Sequence, residues 1–204
     1  MIITKTEEEI ALMRENGILV SKTLAEVGKH VAPGVTTGHL NAIAESFIRD
    51  HGAVPAFLGY NGFPFTLCVS VNSTVVHGFP GDYRLKEGDI VSVDCGTKYK
   101  GFFGDSAYTF GVGQVSQAAE LLMRTTRESL FKGIEKAIAG NRIGDIGAAV
   151  QTHVEQRGFS VVREMVGHGI GRNLHEKPDV PNYGRPGQGK HLEEGMVICI
   201  EPMI

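Results

Sequence analysis

Cysteines are few in this sequence and long apolar runs are lacking, which argues against two classes of protein. The 204 residues include three cysteines, an odd number without C-x-x-C spacing: Cys68, Cys95 and Cys199. That pattern argues against a disulfide framework and fits a reducing compartment. No apolar run reaches the length of a membrane span, and the N-terminus lacks the apolar core of a signal peptide. We therefore expect a cytoplasmic protein that does not enter a membrane.

An excess of positive charge is lacking as well. The net charge is −3 at pH 7, so the sequence lacks the excess of basic residues that is typical of nucleic-acid-binding proteins. With 42% hydrophobic and 21% charged residues, the chain has the composition of an ordinary globular protein with enough material for a core. The length fits one large domain or two small ones.

Two aspartates lie on either side of a predicted β-hairpin. Two β-rich runs flank the polar tip at residues 98–101. If the tip consists of Tyr99 and Lys100, Asp94 lies directly opposite Asp105, with the two Cβ atoms about 4.5–5.5 Å apart. Carboxylates that close repel each other unless a positive charge lies between them. A metal ion, or a pair of ions about 3.5–4 Å apart, would resolve this repulsion; two solvated hairpin carboxylates are the alternative.

Helical spacing predicts two helices before this hairpin. Thr6 and Glu9 form a capping box, and apolar or small residues then recur on one helical face until Pro33. A second helix is predicted from Thr37, as its capping residue, to Gly52.

The pattern then restarts, which predicts an internal repeat. Half-repeats of about 5–113 and 114–204 each contain two helices followed by strands. Residues 194–201 echo residues 87–94, so the repeat maps Glu201 onto Asp94. A pseudo-twofold relation between the halves would bring these strand ends together around one centre and add a third carboxylate to the aspartate pair. Coincidental patterning is the alternative explanation.

Three histidines are candidates for the nitrogen ligand or the catalytic acid that such a centre needs. His168 lies between glycines, after the strand-like residues 159–162, so the backbone can approach a site closely there. Its surroundings do not have the G-x-G-x-x-G spacing of a dinucleotide fingerprint. His175 is not part of an H-E-x-x-H helix, and His77 lies in a turn-rich stretch. Taken singly, each histidine is more often a surface or core residue than a ligand.

Six short stretches together carry a resemblance to a known family. The chain resembles the type I methionine aminopeptidases of the pita-bread fold, from about residue 5 to its last residue. This resemblance implies an α+β fold, a pseudo-twofold repeat of helix, helix and antiparallel strands around a dinuclear metal site, in one catalytic domain over residues 1–204. The matching stretches are residues 59–64, 68–78, 90–94, 104–105, 167–175 and 200–203.

The resemblance implies a role for each matching residue. Two histidines, His77 and His175, would contact the scissile amide and carbonyl of the substrate. The family has a fifth ligand, a glutamate on a further strand, which we expect beyond residue 204. The internal repeat likewise places the counterpart of Asp105 beyond residue 204. The implied metal ligands are Asp94, Asp105, His168 and Glu201, with Asp105 and Glu201 bridging two ions. The implied lining of the methionine pocket is Tyr60, Phe63, Cys68 and Leu174.

The implied chemistry is the hydrolysis of the bond after an N-terminal methionine. Carboxylates and an imidazole suit two divalent ions among Mn, Fe, Co and Zn. Such ions give hydroxide at neutral pH and polarise the carbonyl, and Glu201 could carry the proton to the leaving amine. The implied substrates are nascent chains with a small second residue, met near the ribosome by a protein that is a monomer when full length. The alternatives are an Xaa-Pro-type peptidase of the same fold and a non-catalytic binding module that keeps the fold.

Overall fold

Helices and strands follow one another in the order helix, helix, strands, and this order occurs twice. The structure, a computed structural model, describes residues 2–204. The elements are α1 (Glu7–Gly28), α2 (Thr37–Asp50), β1 (Val54–Pro55), β2 (Leu67–Val71), β3 (Ile90–Tyr99), β4 (Phe102–Gly111), α3 (Gln117–Ile134), α4 (Ile143–Glu155), β5 (Gly167–Gly169) and β6 (Glu176–Val180). The predicted element order is confirmed. Among the described helices, none combines the length and the apolarity that crossing a membrane requires.

The chain divides into two compact units. We call Ala11–Ala119 the aspartate unit, and Met1–Ile10 together with Glu120–Ile204 the histidine unit. The predicted single catalytic domain and the half-repeat boundaries stay predictions.

The aspartate unit is built on a four-stranded antiparallel sheet. The central strand β3 pairs along its whole length with β4, and its other edge pairs with β2 and, near its end, with β1. Apolar residues of α1 and α2 pack with the sheet into one core that includes Val20, Leu40 and Val93, each fully buried. This core fixes the face of the sheet that points away from the helices.

The two helices begin and end close to the predicted positions. The capping box is confirmed, because Thr6 and Glu9 exchange side chain–backbone hydrogen bonds of 3.1 and 3.2 Å. However, α1 ends at Gly28, before the predicted stop at Pro33. The capping residue of α2 is Thr36 rather than Thr37, because its hydroxyl accepts a hydrogen bond from the backbone of the first helical turn.

Asn16 joins α1 to the hairpin of β3 and β4. Its amide donates to the carbonyls of Thr97 and Phe102 at 3.2 and 3.0 Å, and its carbonyl accepts from the Thr97 hydroxyl at 2.5 Å. A buried amide is costly unless its hydrogen bonds are made. The pattern of apolar residues gave no sign of this polar contact on the buried face of α1.

The hairpin tip differs from the predicted one by one residue. Tyr99 pairs with Phe102, so the tip is Lys100 and Gly101, both with positive φ (49° and 85°). A two-residue tip of this kind needs φ > 0 at both positions, and glycine meets that need better than tyrosine. The direct pairing of Asp94 with Asp105 is therefore wrong: Asp94 pairs with Ala107, and Asp105 pairs with Gly96.

The histidine unit has a smaller, two-stranded antiparallel sheet of β5 and β6. Two predicted strands are not formed. Residues 159–162 are irregular and make a backbone bond from Val162 to Met203, at 2.8 Å. The segment ending at Glu201 forms one isolated bridge, between Ile198 and Gly169, because β5 is three residues long and offers little edge to pair with.

Candidate active site

His168 occupies the middle of β5, where the backbone of other segments approaches on both sides. A Cβ atom at Gly167 would lie 2.3 Å from the carbonyl oxygen of Cys199, and one at Gly169 would lie 2.5 Å from that of Lys177. Both distances are far below a van der Waals contact, so only glycine fits at either position. The glycines predicted to allow close approach therefore have that role.

The hydrogen bond of His168 sets the orientation of its ring. Its Nδ1 lies 2.8 Å from the carbonyl oxygen of Gly169. Because a carbonyl can only accept, Nδ1 carries the proton of the neutral ring, and Nε2 presents a lone pair. Nε2 lies 3.3 Å from Oε1 of Glu201. Two electron-pair donors that face each other in this way fit a shared cation.

Cys199 joins this pair of residues. His168, Cys199 and Glu201 can each place one ligand atom within 4.8 Å of the others. His168 is buried, and the other two are half-buried. The sequence reasoning missed Cys199, although its position two residues before Glu201 places both on the same side of an extended segment. The donor set of imidazole, carboxylate and thiol suits a transition metal ion.

His175 lies beside His168. The two ring centroids are 4.3 Å apart and the rings are tilted by 59°. Both histidines line a cavity of about 270 Å³, and His175 is exposed, so its ring is accessible to a bound molecule. Leu174, the neighbouring residue, is only 2% exposed.

The aspartate unit brings Asp94, Asp105 and Cys68 to one face of its sheet. Cys68 pairs directly with Asp94, and Asp105 pairs with Gly96, two residues along β3. Cross-strand partners and alternate residues share a face, so the two carboxylates are diagonal neighbours. Burial, followed by the charges of Asp94 and Asp105, raises the pKa of Cys68 to about 12. This face repels a further negative charge and is suited to a cation.

His77 is held in an uncommon backbone conformation. Its φ is 57°, in the left-handed region that few residues other than glycine adopt. Two hydrogen bonds to β2 anchor the following residue, Gly78. Its carbonyl accepts from the backbone N–H of Val69 at 2.9 Å, and its N–H donates to the Ser70 hydroxyl at 3.1 Å. The His77 side chain is exposed beside this anchored backbone.

The two aromatic residues predicted to line the substrate pocket lie around a short 3₁₀ turn at Tyr60–Gly62. Tyr60 is 38% exposed. The ring of Phe63 contacts Phe65 and Phe79 edge to face, with centroids 5.9 and 5.3 Å away. Phe65 and Phe79 were not singled out from the sequence, because their part in this cluster depends on the turn.

The structure thus forms two groups of predicted site residues, one in each unit. The first contains His168, His175, Glu201 and Leu174. The second contains Asp94, Asp105, Cys68, His77, Tyr60 and Phe63. In the first group His168 lies beside Glu201 and His175, and in the second Asp94, Asp105 and Cys68 share one face of the sheet.

Comparison with known proteins identifies the family. The model of metallopeptidase family M24 matches residues 11–204. A methionine aminopeptidase of Clostridium perfringens is 58% identical over 204 residues, which is 100% of this chain and 82% of the relative. The chain belongs to the methionine aminopeptidases of family M24. The family and the pita-bread fold predicted from the sequence motifs are confirmed, and the chain is a metal-dependent aminopeptidase.

Solved structures of this M24 group agree with that assignment. The crystal structure of methionine aminopeptidase from Rickettsia prowazekii superposes with a TM-score of 0.98 at 44% identity, over 99% of this chain and 82% of that one. The prolidase from Pyrococcus horikoshii OT3 has a TM-score of 0.86 at 26% identity, over 99% of this chain and 56% of that one. The M24 fold is therefore shared with proline-directed peptidases, while the closer similarity is to methionine aminopeptidases.

Proposed function

We propose that this M24 metallopeptidase removes the N-terminal methionine from nascent proteins with the help of two divalent metal ions. The observation that carries the proposal is the separation of 3.3 Å between Nε2 of His168 and Oε1 of Glu201, with the proton of His168 held on Nδ1. An imidazole lone pair that faces a carboxylate is the donor arrangement of a metal centre. The similarity to methionine aminopeptidases supports an N-terminal methionine as the residue that is removed.

The residues that would hold the metal ions in this proposal are Asp94, Asp105, His168 and Glu201. This assignment is supported by the family resemblance of their motifs and by their donor types, which suit Mn, Fe, Co or Zn. When bound, the ions would supply hydroxide at neutral pH and polarise the scissile carbonyl. The donor set present in each unit fits this requirement.

The remaining residues are proposed to orient the substrate and to move its protons. His77 and His175 contact the scissile amide and carbonyl, and both rings are exposed as this role requires. Glu201 carries a proton to the leaving amine.

The proposed methionine pocket is lined by Tyr60, Phe63, Cys68 and Leu174. With its pKa raised to about 12, Cys68 remains a neutral thiol at pH 7. A neutral thiol is a small, polarisable, apolar group, which suits the thioether of methionine.

The nature of the substrate implies where the protein works. Nascent chains emerge from ribosomes, so we propose a cytoplasmic, monomeric protein that acts near the ribosome surface. The odd number of cysteines, without disulfide spacing, supports a reducing compartment.

Peptide hydrolysis tests the proposal against its two alternatives. The purified protein is supplied in turn with Mn, Fe, Co and Zn, and then offered Met-Ala-Ser, Leu-Ala-Ser and Ala-Pro-Ser. We expect release of free methionine in a metal-dependent reaction, with Leu-Ala-Ser about 10-fold or more slower, because an apolar pocket discriminates isosteres by about 1–3 kcal/mol. Faster cleavage of Ala-Pro-Ser would favour an Xaa-Pro peptidase. No cleavage with any of the four metals would favour a non-catalytic module.

A further inference from the structure

Lys5 is a buried lysine near the N-terminus of the histidine unit. Its side chain is 4% exposed and that of its partner Glu176 is 5% exposed, with Nζ and Oε2 2.7 Å apart. Taking both charges out of water is costly, and their attraction compensates only when the geometry is good and further hydrogen bonds are made. Lys5 Nζ meets that condition with a second bond, to the carbonyl of Ile3 at 2.8 Å.

Two partners of Lys5, Glu176 and Gly195, belong to the two segments that carry the candidate site of this unit. Glu176 directly follows His175, and its Oε1 accepts from the backbone N–H of Asn173 at 3.1 Å, which closes the loop that holds His175. The backbone N–H of Lys5 donates to the carbonyl of Gly195 at 2.7 Å. Gly195 begins the segment that runs on to Cys199 and Glu201. Lys5 therefore bonds to both segments at once.

Both segments are packed tightly against Lys5. A Cβ atom at Gly171 would lie 2.5 Å from Cε of Lys5, and one at Gly195 would lie 2.8 Å from the Lys5 carbonyl oxygen. Neither position has room for a side chain. Movement of Lys5 would therefore be transmitted to the loop of His175 and to the segment of Glu201.

We propose that Lys5 and Glu176 are positioning residues, whose buried ion pair holds the His175 ring in place beside His168. The inference rests on the proposed function in one respect, the contact of His175 with the substrate. The position of the His175 ring matters because a catalytic group displaced by about 1 Å can lose about 10²-fold in rate. The ion pair supplies the rigidity that the loop needs.

A purely structural role for the pair is the alternative, and a double variant separates the two. Removing one partner leaves an uncompensated buried charge and is strongly destabilising, whereas removing both charges is often neutral for stability. Lys5→Met and Glu176→Gln should therefore each lower the melting temperature, and the double variant should recover most of the loss. If the pair positions His175, the double variant regains stability without regaining the position of the ring.

The position of the ring can be measured without metal or substrate. Nitrogen-15 NMR of ring-labelled histidine in the metal-free protein gives the His175 resonances, assigned through His175→Gln. The control is Lys29→Met, which removes an exposed ion pair with Glu26. In that pair Nζ and Oε2 are 2.6 Å apart, and the Lys29 side chain is 67% exposed. We expect shifted or broadened His175 resonances in the double variant and unchanged ones in the control. A double variant with both wild-type stability and wild-type His175 resonances would overturn the proposal.

Steady-state kinetics then test the consequence for the reaction. In the double variant we expect kcat on Met-Ala-Ser to fall by about 10- to 100-fold, with bound metal unchanged. An unchanged kcat would overturn the positioning role even if the resonances move. If the wild-type protein cleaves no methionine peptide, the proposed function fails, and the NMR comparison still decides whether the ion pair positions His175.

Discussion

At the scale of single residues, the hydrogen bond from His168 to Gly169 has the largest chemical consequence. It places the proton of the neutral ring on Nδ1 and leaves Nε2 facing Glu201, which supports the proposed role of His168 as a metal ligand. His175, 4.3 Å away between ring centroids, has a different proposed task, because it is exposed where His168 is buried. The difference in burial is consistent with two different proposed roles.

This separation predicts different behaviour for histidine variants. Replacing His77 or His175 by Ala should lower the rate on Met-Ala-Ser by about 10²-fold or more, because each is proposed as an acid–base or electrostatic group. Bound metal, measured by plasma mass spectrometry, should remain at the wild-type level. The control is His39→Ala, an exposed histidine of α2. Loss of metal from either variant would make that histidine a ligand instead.

Cys199 should affect the choice of metal. A thiol within 4.8 Å of the ligand atoms of His168 and Glu201 favours softer ions such as Zn²⁺ over Mn²⁺. We expect Cys199→Ser to weaken Zn²⁺ binding by about 10-fold or more, a size typical of residues around a metal site, and to leave Mn²⁺ binding nearly unchanged. Competition with a chelator of known affinity measures both constants. Equal weakening of Zn²⁺ and Mn²⁺ binding in Cys199→Ser would show that the thiol does not favour one ion over the other.

At the scale of elements, the hairpin of β3 and β4 shows which part of the site could be predicted. The sequence identifies the two strands and places both aspartates on one face, which the observed register keeps. It does not identify the tip, since Tyr99–Lys100 and Lys100–Gly101 are both two-residue loops within the same polar stretch. The choice depends on which residues accept positive φ, and Gly101 (φ 85°) decides it.

The tip glycine should therefore be sensitive to substitution. Gly101→Ala should lower the free energy of unfolding by about 1 kcal/mol or more, because alanine resists a φ of 85°. Gly17→Ala is the matched control in the same unit: it lies within α1, and a Cβ there meets no atom within 4 Å. It should raise stability by up to about 1 kcal/mol. Urea unfolding curves measure both changes in the free energy of unfolding. A loss of stability in Gly17→Ala with none in Gly101→Ala would contradict the observed register of β3 and β4.

The loop that carries His77 is closed by a network around Asp89. Its carboxylate accepts from the Asn72 amide at 2.8 Å and from the Tyr83 hydroxyl and the Lys86 backbone at 2.9 Å each. Burial alone would raise the pKa of Asp89, but these hydrogen bonds outweigh it and lower the pKa from its ordinary value of 3.8. The carboxylate is thus held in its charged form.

A lowered pKa in the folded state gives a signed pH dependence. The stabilisation from Asp89 should be fully present above pH 3.8 and be lost as the pH falls through the lower pKa of the folded state. In Asp89→Asn, stability at neutral pH should be lower, and the decline below pH 4 should be shallower. Thermal unfolding between pH 7 and 2 measures this difference. A decline of unchanged steepness would show that Asp89 does not carry the effect.

The segment ending at Glu201 shows what the repeat could not predict. The repeat matches residue types between 87–94 and 194–201, yet only the first of these stretches leads into a long strand. Strand formation depends on the edge that is available, and β5 supplies three residues where β4 supplies ten. The position of Glu201 beside His168 is nevertheless maintained, through the backbone bond from Cys199 to His168 at 2.7 Å.

At the scale of the whole molecule, the family could be predicted because its motifs are short, separate and ordered. Each motif places a chemically demanding residue next to backbone that only glycine or a turn permits, as at His168 and His77. Such local requirements are visible in a sequence. Contacts between distant residues, such as Lys5 with Glu176 or Asn16 with Thr97, are not, because nothing in the neighbouring residues specifies the partner.

The proposed metal centre depends most on its four ligands, Asp94, Asp105, His168 and Glu201. If these residues bind two ions, loss of the Asp105 carboxylate or of the His168 imidazole should in each case lower the number of bound ions. The two single variants Asp105→Asn and His168→Gln are therefore compared with each other. Asp50→Asn, at an exposed aspartate of α2, is the control.

The number of divalent ions per chain, measured by native mass spectrometry across these variants, is the most direct test. We expect two ions in the wild-type protein and in Asp50→Asn, and fewer than two in both Asp105→Asn and His168→Gln, with activity lost alongside the metal. Two ions retained with normal turnover in Asp105→Asn or His168→Gln would contradict the proposed centre.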